Sequence, residues 1–147
     1  MALIDELNQD IKQAMKAKDK TALSVLRMLK GSVQNEEINE GGTLTEDQEM
    51  TVLSRELKQR KDSISEFRAA GREDLAEKTE AELGYVEKYL PKQLSRDEIE
   101  AVVKDVIQDT NAQSKADFGK VMGQAVARMK GQAAGSEIQQ VVKELLK

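Results

Sequence analysis

The sequence predicts an all-α protein, with a four-helix part over residues 1–91 followed by a small three-helix bundle over residues 92–147. Three observations carry that expectation. Apolar residues recur at three- and four-residue spacing almost throughout, as one face of an α-helix requires. No run alternates apolar and polar residues in the manner of a half-buried strand. The only proline, Pro91, stands between two helical patterns, in the run Glu87-Lys88-Tyr89-Leu90-Pro91-Lys92-Gln93-Leu94-Ser95. Proline lacks a backbone donor and pushes the residue before it out of helical geometry, so one helix should end here. Ser95, with Glu98 three residues on, can start the next.

The elements follow in order. Leu3, Leu7, Ile11 and Met15 make a first amphipathic stripe. Ala22, Val25, Leu26, Leu29 and Val33 make a second, which fades before Gly41-Gly42. Thr45 with Gln48 reads as a capping box, with Glu46 and Asp47 suited to the positive end of a helix dipole. Met50, Leu53, Leu57, Ile64 and Phe67 carry that third helix to Gly71. Leu75, Thr79, Leu83, Val86 and Leu90 form a fourth stripe that runs to the proline. Beyond it come three shorter stripes: Ile99, Val102, Val103 and Val106; Phe118, Val121, Met122, Ala125 and Met129; and Ile138, Val141, Val142 and Leu145. Gly131 is placed to end the middle one in a left-handed conformation. A part of about 56 residues is near the lower size limit for folding alone, so the two parts are expected to touch.

Composition removes several function classes. Cysteine is absent, which excludes disulfides, thiolate catalysis and Cys-ligated metals, and histidine is absent too. The usual general base near neutral pH and the commonest metal ligand are thereby missing. Glu36, Glu37 and Glu40 have no partner at metal-ligand spacing, and no glycine loop has the pattern that cradles phosphates. No metal, cofactor or catalytic residue is therefore expected. Met1-Ala2-Leu3-Ile4-Asp5-Glu6 shows no basic segment followed by an apolar core, and no apolar run approaches membrane-spanning length. A soluble, cytoplasmic protein with no membrane partner is the expectation.

The net charge of −4 is unevenly placed. Residues 1–91 carry 14 basic and 19 acidic side chains, whereas residues 92–147 carry 9 and 8. From Lys115 onward, Lys115, Lys120, Arg128, Lys130, Lys143 and Lys147 face only Asp117, Glu137 and Glu144. On charge alone this fits an ordinary mixed surface.

Three constellations stand out. Arg27, Lys30 and Gln34 share a stripe beside the apolar face of the second helix. They fit a phosphate-contacting edge or, more simply, long side chains covering the core margin. Arg55, Lys58, Arg60, Lys61, Arg68 and Arg72 concentrate positive charge on the third helix and the turn after it. The interleaved Glu56, Asp62 and Glu66 favour a salt-bridged surface there. In Phe118-Gly119-Lys120-Val121-Met122-Gly123, two glycines sit inside a helical pattern at roughly 1 kcal/mol each relative to alanine. A bare backbone at Gly119 and Gly123, with Lys130 on the same side, admits either a neighbouring helix of the same bundle or an RNA backbone.

Four runs together resemble a known family: Leu26-Arg27-Met28-Leu29-Lys30, Phe67-Arg68-Ala69-Ala70-Gly71-Arg72-Glu73-Asp74-Leu75-Ala76, Tyr89-Leu90-Pro91-Lys92-Gln93-Leu94-Ser95, and Phe118-Gly119-Lys120-Val121-Met122-Gly123. In this order and spacing they are similar to the free-standing YqeY-like proteins of bacteria, over the whole chain. The family's tail resembles the C-terminal tail of the B subunit of the glutamine-dependent tRNA amidotransferase, which amidates misacylated Glu-tRNA(Gln) or Asp-tRNA(Asn). The resemblance implies a helical tail that grips tRNA away from the chemistry, and no active site of its own. Lys115, Gly119, Lys120, Gly123, Arg128 and Lys130 are the RNA-binding residues it suggests here, with Arg27, Lys30 and Gln34 as a second surface. The pattern commonly has an aspartate before the glycine of the last loop, where this chain has Ala134-Gly135-Ser136.

The resulting expectation is a tRNA-associated accessory protein that holds RNA by backbone and shape. Phe67, Tyr85, Tyr89 and Phe118 are too few aromatics for a stacking platform. A helical adaptor that docks on a synthetase or amidotransferase subunit is the alternative. A carbon-nitrogen ligase using glutamine as amido-N donor is a third reading, for which the chemical groups are missing.

Overall fold

The computed structural model describes residues 2–146; Met1 and Lys147 lie outside it. The described residues form seven α-helices and no strand: α1 (Leu3–Ala17), α2 (Lys20–Glu40), α3 (Glu46–Ala69), α4 (Glu73–Glu87), α5 (Arg96–Thr110), α6 (Phe118–Arg128) and α7 (Gly135–Leu145). A single 3₁₀ turn at Lys115–Asp117 leads into α6. The all-α class is as expected. The chain divides into two compact units, Met1–Leu90 and Pro91–Lys147. Each has its own apolar core.

Local chemistry explains several helix ends. Thr45 accepts the Gln48 backbone N–H while the Gln48 side chain accepts the Thr45 N–H, at 3.2 and 2.9 Å. Ser95 and Glu98 make the same reciprocal pair at the start of α5, at 3.2 and 3.0 Å. Those bonds to the ionised Glu98 carboxylate, with the Lys92 charge nearby, hold its pKa below the ordinary value. Gly41 closes α2 with φ of 79°, a left-handed position that glycine adopts without strain. Helix α1 starts at Ala2, which offers no capping side chain. Glu49 of α3 substitutes for it, its carboxylate accepting the Leu3 N–H at 3.0 Å, and so ties the two helices together. Helix α4 ends at Glu87, ahead of the proline.

In the first unit α1 packs along α2, α3 along α4, and α2 also meets both α3 and α4. Leu7, Val25, Leu29 and Val86 are fully buried at its centre. Two details depart from the expected stripes. Met15 is 54% exposed, and Ala14 takes the inward position in the last turn of α1. In α4, Ala76 and Val86 are the buried residues, whereas Leu75, Thr79 and Leu83 are half-buried. The C-terminal end of α4 is held to α1 through Asp10, which accepts the Tyr89 hydroxyl proton and an N–H of Lys88 at 3.1 Å. Burial alone would push the Asp10 carboxyl up, but these bonds and the Lys88 charge outweigh it and leave it below its ordinary value.

Arg60 is the one buried charged residue among those described, at 6% exposure. Sequence pattern grouped it with a basic surface; the structure turns it inward. Its guanidinium reaches Glu56 Oε2 at 2.9 Å and the Glu56 carbonyl at 3.2 Å within α3. It also lies 3.9 Å from Met28 Sδ of α2 and 3.4 Å from Glu82 Oε2 of α4. Nε is close to Glu82 yet makes no hydrogen bond, so that contact is purely ionic. Glu56 in turn accepts the Ser32 hydroxyl at 2.7 Å.

In the second unit α5, α6 and α7 each pack against the other two around Val103, Val106, Val121, Ala125 and Val142. The segment after Pro91 closes over the α6–α7 turn. Leu94 N–H donates to the Gln132 carbonyl at 2.9 Å, and Gln93 Nε2 to the Gly131 carbonyl at 2.7 Å. Gly131, at φ of 75°, takes the expected left-handed conformation. Arg96 of α5 pairs with Glu144 of α7, and Arg128 at the end of α6 with Asp109 of α5 at 2.7 Å.

Two measurements check this picture. Arg60→Ala should lower the stability of the chain to urea by about 3 kcal/mol, since it leaves Glu56 largely buried without its cation. Arg55→Ala, which breaks an exposed pair to Glu36 at 3.7 Å, should cost under about 1 kcal/mol. Equal losses would show that Arg60 is not the constraint described. The second concerns Ala134, which occupies the N-cap position of α7 in extended geometry with no capping side chain. An aspartate there, the residue common in the resembled pattern, would accept an orphan N–H of the first turn. Ala134→Asp should therefore stabilise the chain by about 1 kcal/mol, read as a raised unfolding midpoint.

Candidate nucleic-acid interface

The cations divide by whether the fold uses them. On α3 and the turn after it they are engaged: Lys58 with Asp62 at 2.7 Å, Arg68 with Glu73 and Glu80, and Arg72 with Asp74 at 3.1 Å. Lys61 has a partner as well. This is a salt-bridged surface as expected, with Asp62 among the interleaved carboxylates and Glu73, Asp74 and Glu80 of α4 as the partners. By contrast, the Arg27, Lys30 and Gln34 side chains on α2 have no partner among the described residues; Arg27 and Gln34 are exposed and Lys30 is half-buried.

In the second unit the expected residues lie on α6 and just before it, but not all are available. Arg128 is committed to Asp109, and the Lys120 ammonium donates to the Thr110 carbonyl at 3.3 Å, covering the C-terminal end of α5. Lys130 is exposed and also has a partner. Lys115 is exposed with no side-chain partner among the described residues. Lys147 lies outside the described residues.

Gly119 and Gly123 are exposed, and a methyl group added at either would meet nothing within 4 Å. No helix of the bundle packs into that flank, so the intramolecular reason considered for the two glycines is absent. Their backbone conformation is ordinary helix, which leaves no local strain to justify them either. Val126, 40% exposed, falls on the same flank at helical spacing, whereas Lys130 lies in the turn beyond the end of α6. The flank is thus a small-residue strip open to solvent.

One functional candidate was missed by sequence spacing. Lys143 of α7 lies against the same pocket as Lys115, together with Phe118 and Leu146. Residues 115 and 143 have no periodic relation, so only the packing of α7 beside the start of α6 brings them together.

No group of three or more acidic side chains that could hold a metal occurs among the described residues. No described helix is long and apolar enough to cross a membrane. What the geometry defines is a helical two-unit protein with exposed basic and small-residue surfaces. The family profile described as "Yqey-like protein" matches residues 4–146, and the chain belongs to that family. Among curated proteins it is 32% identical to the protein of Pyrenophora tritici-repentis named altered inheritance of mitochondria protein 41, mitochondrial, covering 95% of this chain and 81% of that one. The proteins of the same name from Kluyveromyces lactis and Saccharomyces cerevisiae are 37% and 29% identical, over 80% and 84% of this chain and 68% and 70% of theirs.

These relatives are fungal and are named as mitochondrial, which overturns the cytoplasmic expectation and the bacterial setting of the resemblance. The physical reason is plain. An apolar leader or span distinguishes water from membrane, whereas its lack does not distinguish one aqueous compartment from another.

If the α6 flank is free of its own bundle, Gly119→Ala combined with Gly123→Ala should stabilise the chain by about 1–2 kcal/mol, through helix propensity alone. Denaturant unfolding reads this directly. A loss of stability would mean that the flank is packed in solution.

Proposed function

We propose that this chain is an accessory protein that binds structured tRNA through its second unit, gripping the phosphate backbone and the shape of the fold rather than performing chemistry. The observation that carries the reading is the open flank of α6: two helix-weakening glycines with empty space beyond them, bordered by lysines. A bare backbone lets a ribose-phosphate strand approach closely while Lys115, Lys120 and Lys130 supply charge. The resemblance of this tail to the tRNA-gripping tail of the amidotransferase B subunit supports the same assignment. Lys120, Arg128 and Lys130 enter it with a cost, because each must exchange an existing partner for phosphate. A second reading, an adaptor docking on a synthetase or amidotransferase subunit, is favoured by exposed Val126 on the same flank, since an apolar side chain one turn beyond the glycines suits a partner helix.

Salt separates the two. Binding of tRNA to the purified chain should weaken steeply as salt rises, with the slope of log affinity against log salt lowered by about one for each phosphate contact removed. Lys120→Glu with Lys130→Glu should weaken binding of all tRNAs alike and leave helicity intact. If that variant binds as tightly as the parent while Arg27→Glu with Lys30→Glu abolishes binding, the contact lies on α2 of the first unit and the assignment to the second is wrong. If no tRNA binds at low salt, the adaptor reading takes its place.

A further inference from the structure

A pocket of about 320 Å³ opens where α6 begins and α7 ends, lined by Lys115, Phe118, Lys143 and Leu146. Its size sits at the small end of ligand sites, roughly 300–1,000 Å³. Leu146 is buried and Phe118 half-buried, so the walls are apolar, while the two lysines are exposed and have no side-chain partner among the described residues. The carboxylates closest in sequence are engaged elsewhere: Asp117 accepts the Gln113 N–H at 2.9 Å, and Glu144 pairs with Arg96. Lys143 has a structural reason to be where it is, in the last turn of α7 near the negative end of the helix dipole. Lys115, on a 3₁₀ turn, has none. Two like charges at the rim of one apolar pocket repel each other, and an anion between them removes that cost.

The chemistry that satisfies this pocket is an anion carrying a flat apolar body. We propose that it takes one phosphorylated nucleoside, the base against the Phe118 ring and the phosphate between the Lys115 and Lys143 ammonium groups. The choice of a nucleotide over another aromatic anion rests on the RNA-binding reading above. The nucleotide can be free or an unpaired residue of a bound RNA, the chemistry of the two being the same. One ring serves one base; this is a single seat, not a stacking platform.

The test uses the full chain, isotope-labelled, titrated with adenosine 5′-monophosphate, and in separate arms with adenosine and with inorganic phosphate. Adenosine 5′-monophosphate should move the backbone resonances of Lys115, Phe118, Lys143 and Leu146 together and to saturation. Adenosine or phosphate alone should need at least about tenfold higher concentration. Lys115→Gln with Lys143→Gln, and separately Phe118→Leu, should each weaken the nucleotide about tenfold while the rest of the spectrum stays folded. If the nucleotide leaves those four resonances unmoved, moves others instead, or binds the variants as tightly as the parent, the proposal is overturned. A parallel titration with tRNA separates the two claims. Failure of the parent chain to bind the nucleotide, with tRNA affinity and salt slope as expected, overturns the pocket and leaves the RNA reading standing. Saturable nucleotide binding at the pocket with no tRNA binding supports a seat for free nucleotides and removes the RNA reading.

Discussion

The first unit is organised around a buried positive charge. Aliphatic side chains such as Leu7, Val25 and Leu29 attract without direction, so two helices lined with them can slide by a turn at little cost. A guanidinium at 6% exposure cannot. Removing it from water costs several kcal/mol, and that is offset only where carboxylates stand at bonding distance. Glu56 meets the need from α3 itself and is fixed from the other side by Ser32 of α2. Glu82 meets it from α4. With Met28 of α2 against the same group, three helices are brought to one register by one side chain. The outer contacts, Glu49 capping α1 and Asp10 receiving Tyr89 and Lys88, then position α1 on a frame already set.

The second unit solves the same problem without a buried charge. Its core is aliphatic with one methionine and small, and its directional contacts are at the rim. The main-chain bond from Leu94 to Gln132, the Gln93 side chain on Gly131, and the pairs Arg96–Glu144 and Arg128–Asp109 tie the helix ends to one another. This arrangement has a functional consequence. Structural pairs engage Arg96 and Arg128, and Lys120 covers an exposed carbonyl, so the cations of this unit without a side-chain partner among the described residues are Lys104, Lys115 and Lys143, the last two beside Phe118. Net charge, nearly balanced over this part of the chain, conceals that concentration because it counts engaged and unengaged cations alike.

What could be read from the sequence was the part that short-range chemistry decides. Both capping boxes, the glycine that closes α2 and the left-handed Gly131 depend on residues within a few positions of one another, and each is found in the structure. The inward turn of Arg60 was hidden because charge and spacing are the same for a cation on a surface and a cation between helices; its burial depends on which faces of α2 and α4 meet α3. Met15 and Ala14 exchanged roles for a related reason. A stripe drawn through large apolar residues ignores the small residue whose size suits a close helix contact. For the candidate site, spacing placed Gly119 and Gly123 on one side of a helix but could not say whether that side was filled. Lys143, twenty-eight residues from Lys115, joined the site only through tertiary packing.

The unfilled flank of α6 bears most on function. A domain of this size is held together by only a few kcal/mol. Two exposed glycines, at roughly 1 kcal/mol each, therefore consume a substantial share of the second unit's stability. In most helices such a cost is offset by a neighbour packed against the bare backbone, or by a left-handed turn that only glycine can make. Neither applies here, since the space beyond both residues is empty and their conformation is helical. The binding proposed above supplies a compensation of another kind, contact with something outside the chain. A larger side chain at either position would hold a second surface away from the helix backbone by the width of a methyl group or more. That is why the same two residues that weaken the isolated unit are the ones on which its binding reading depends.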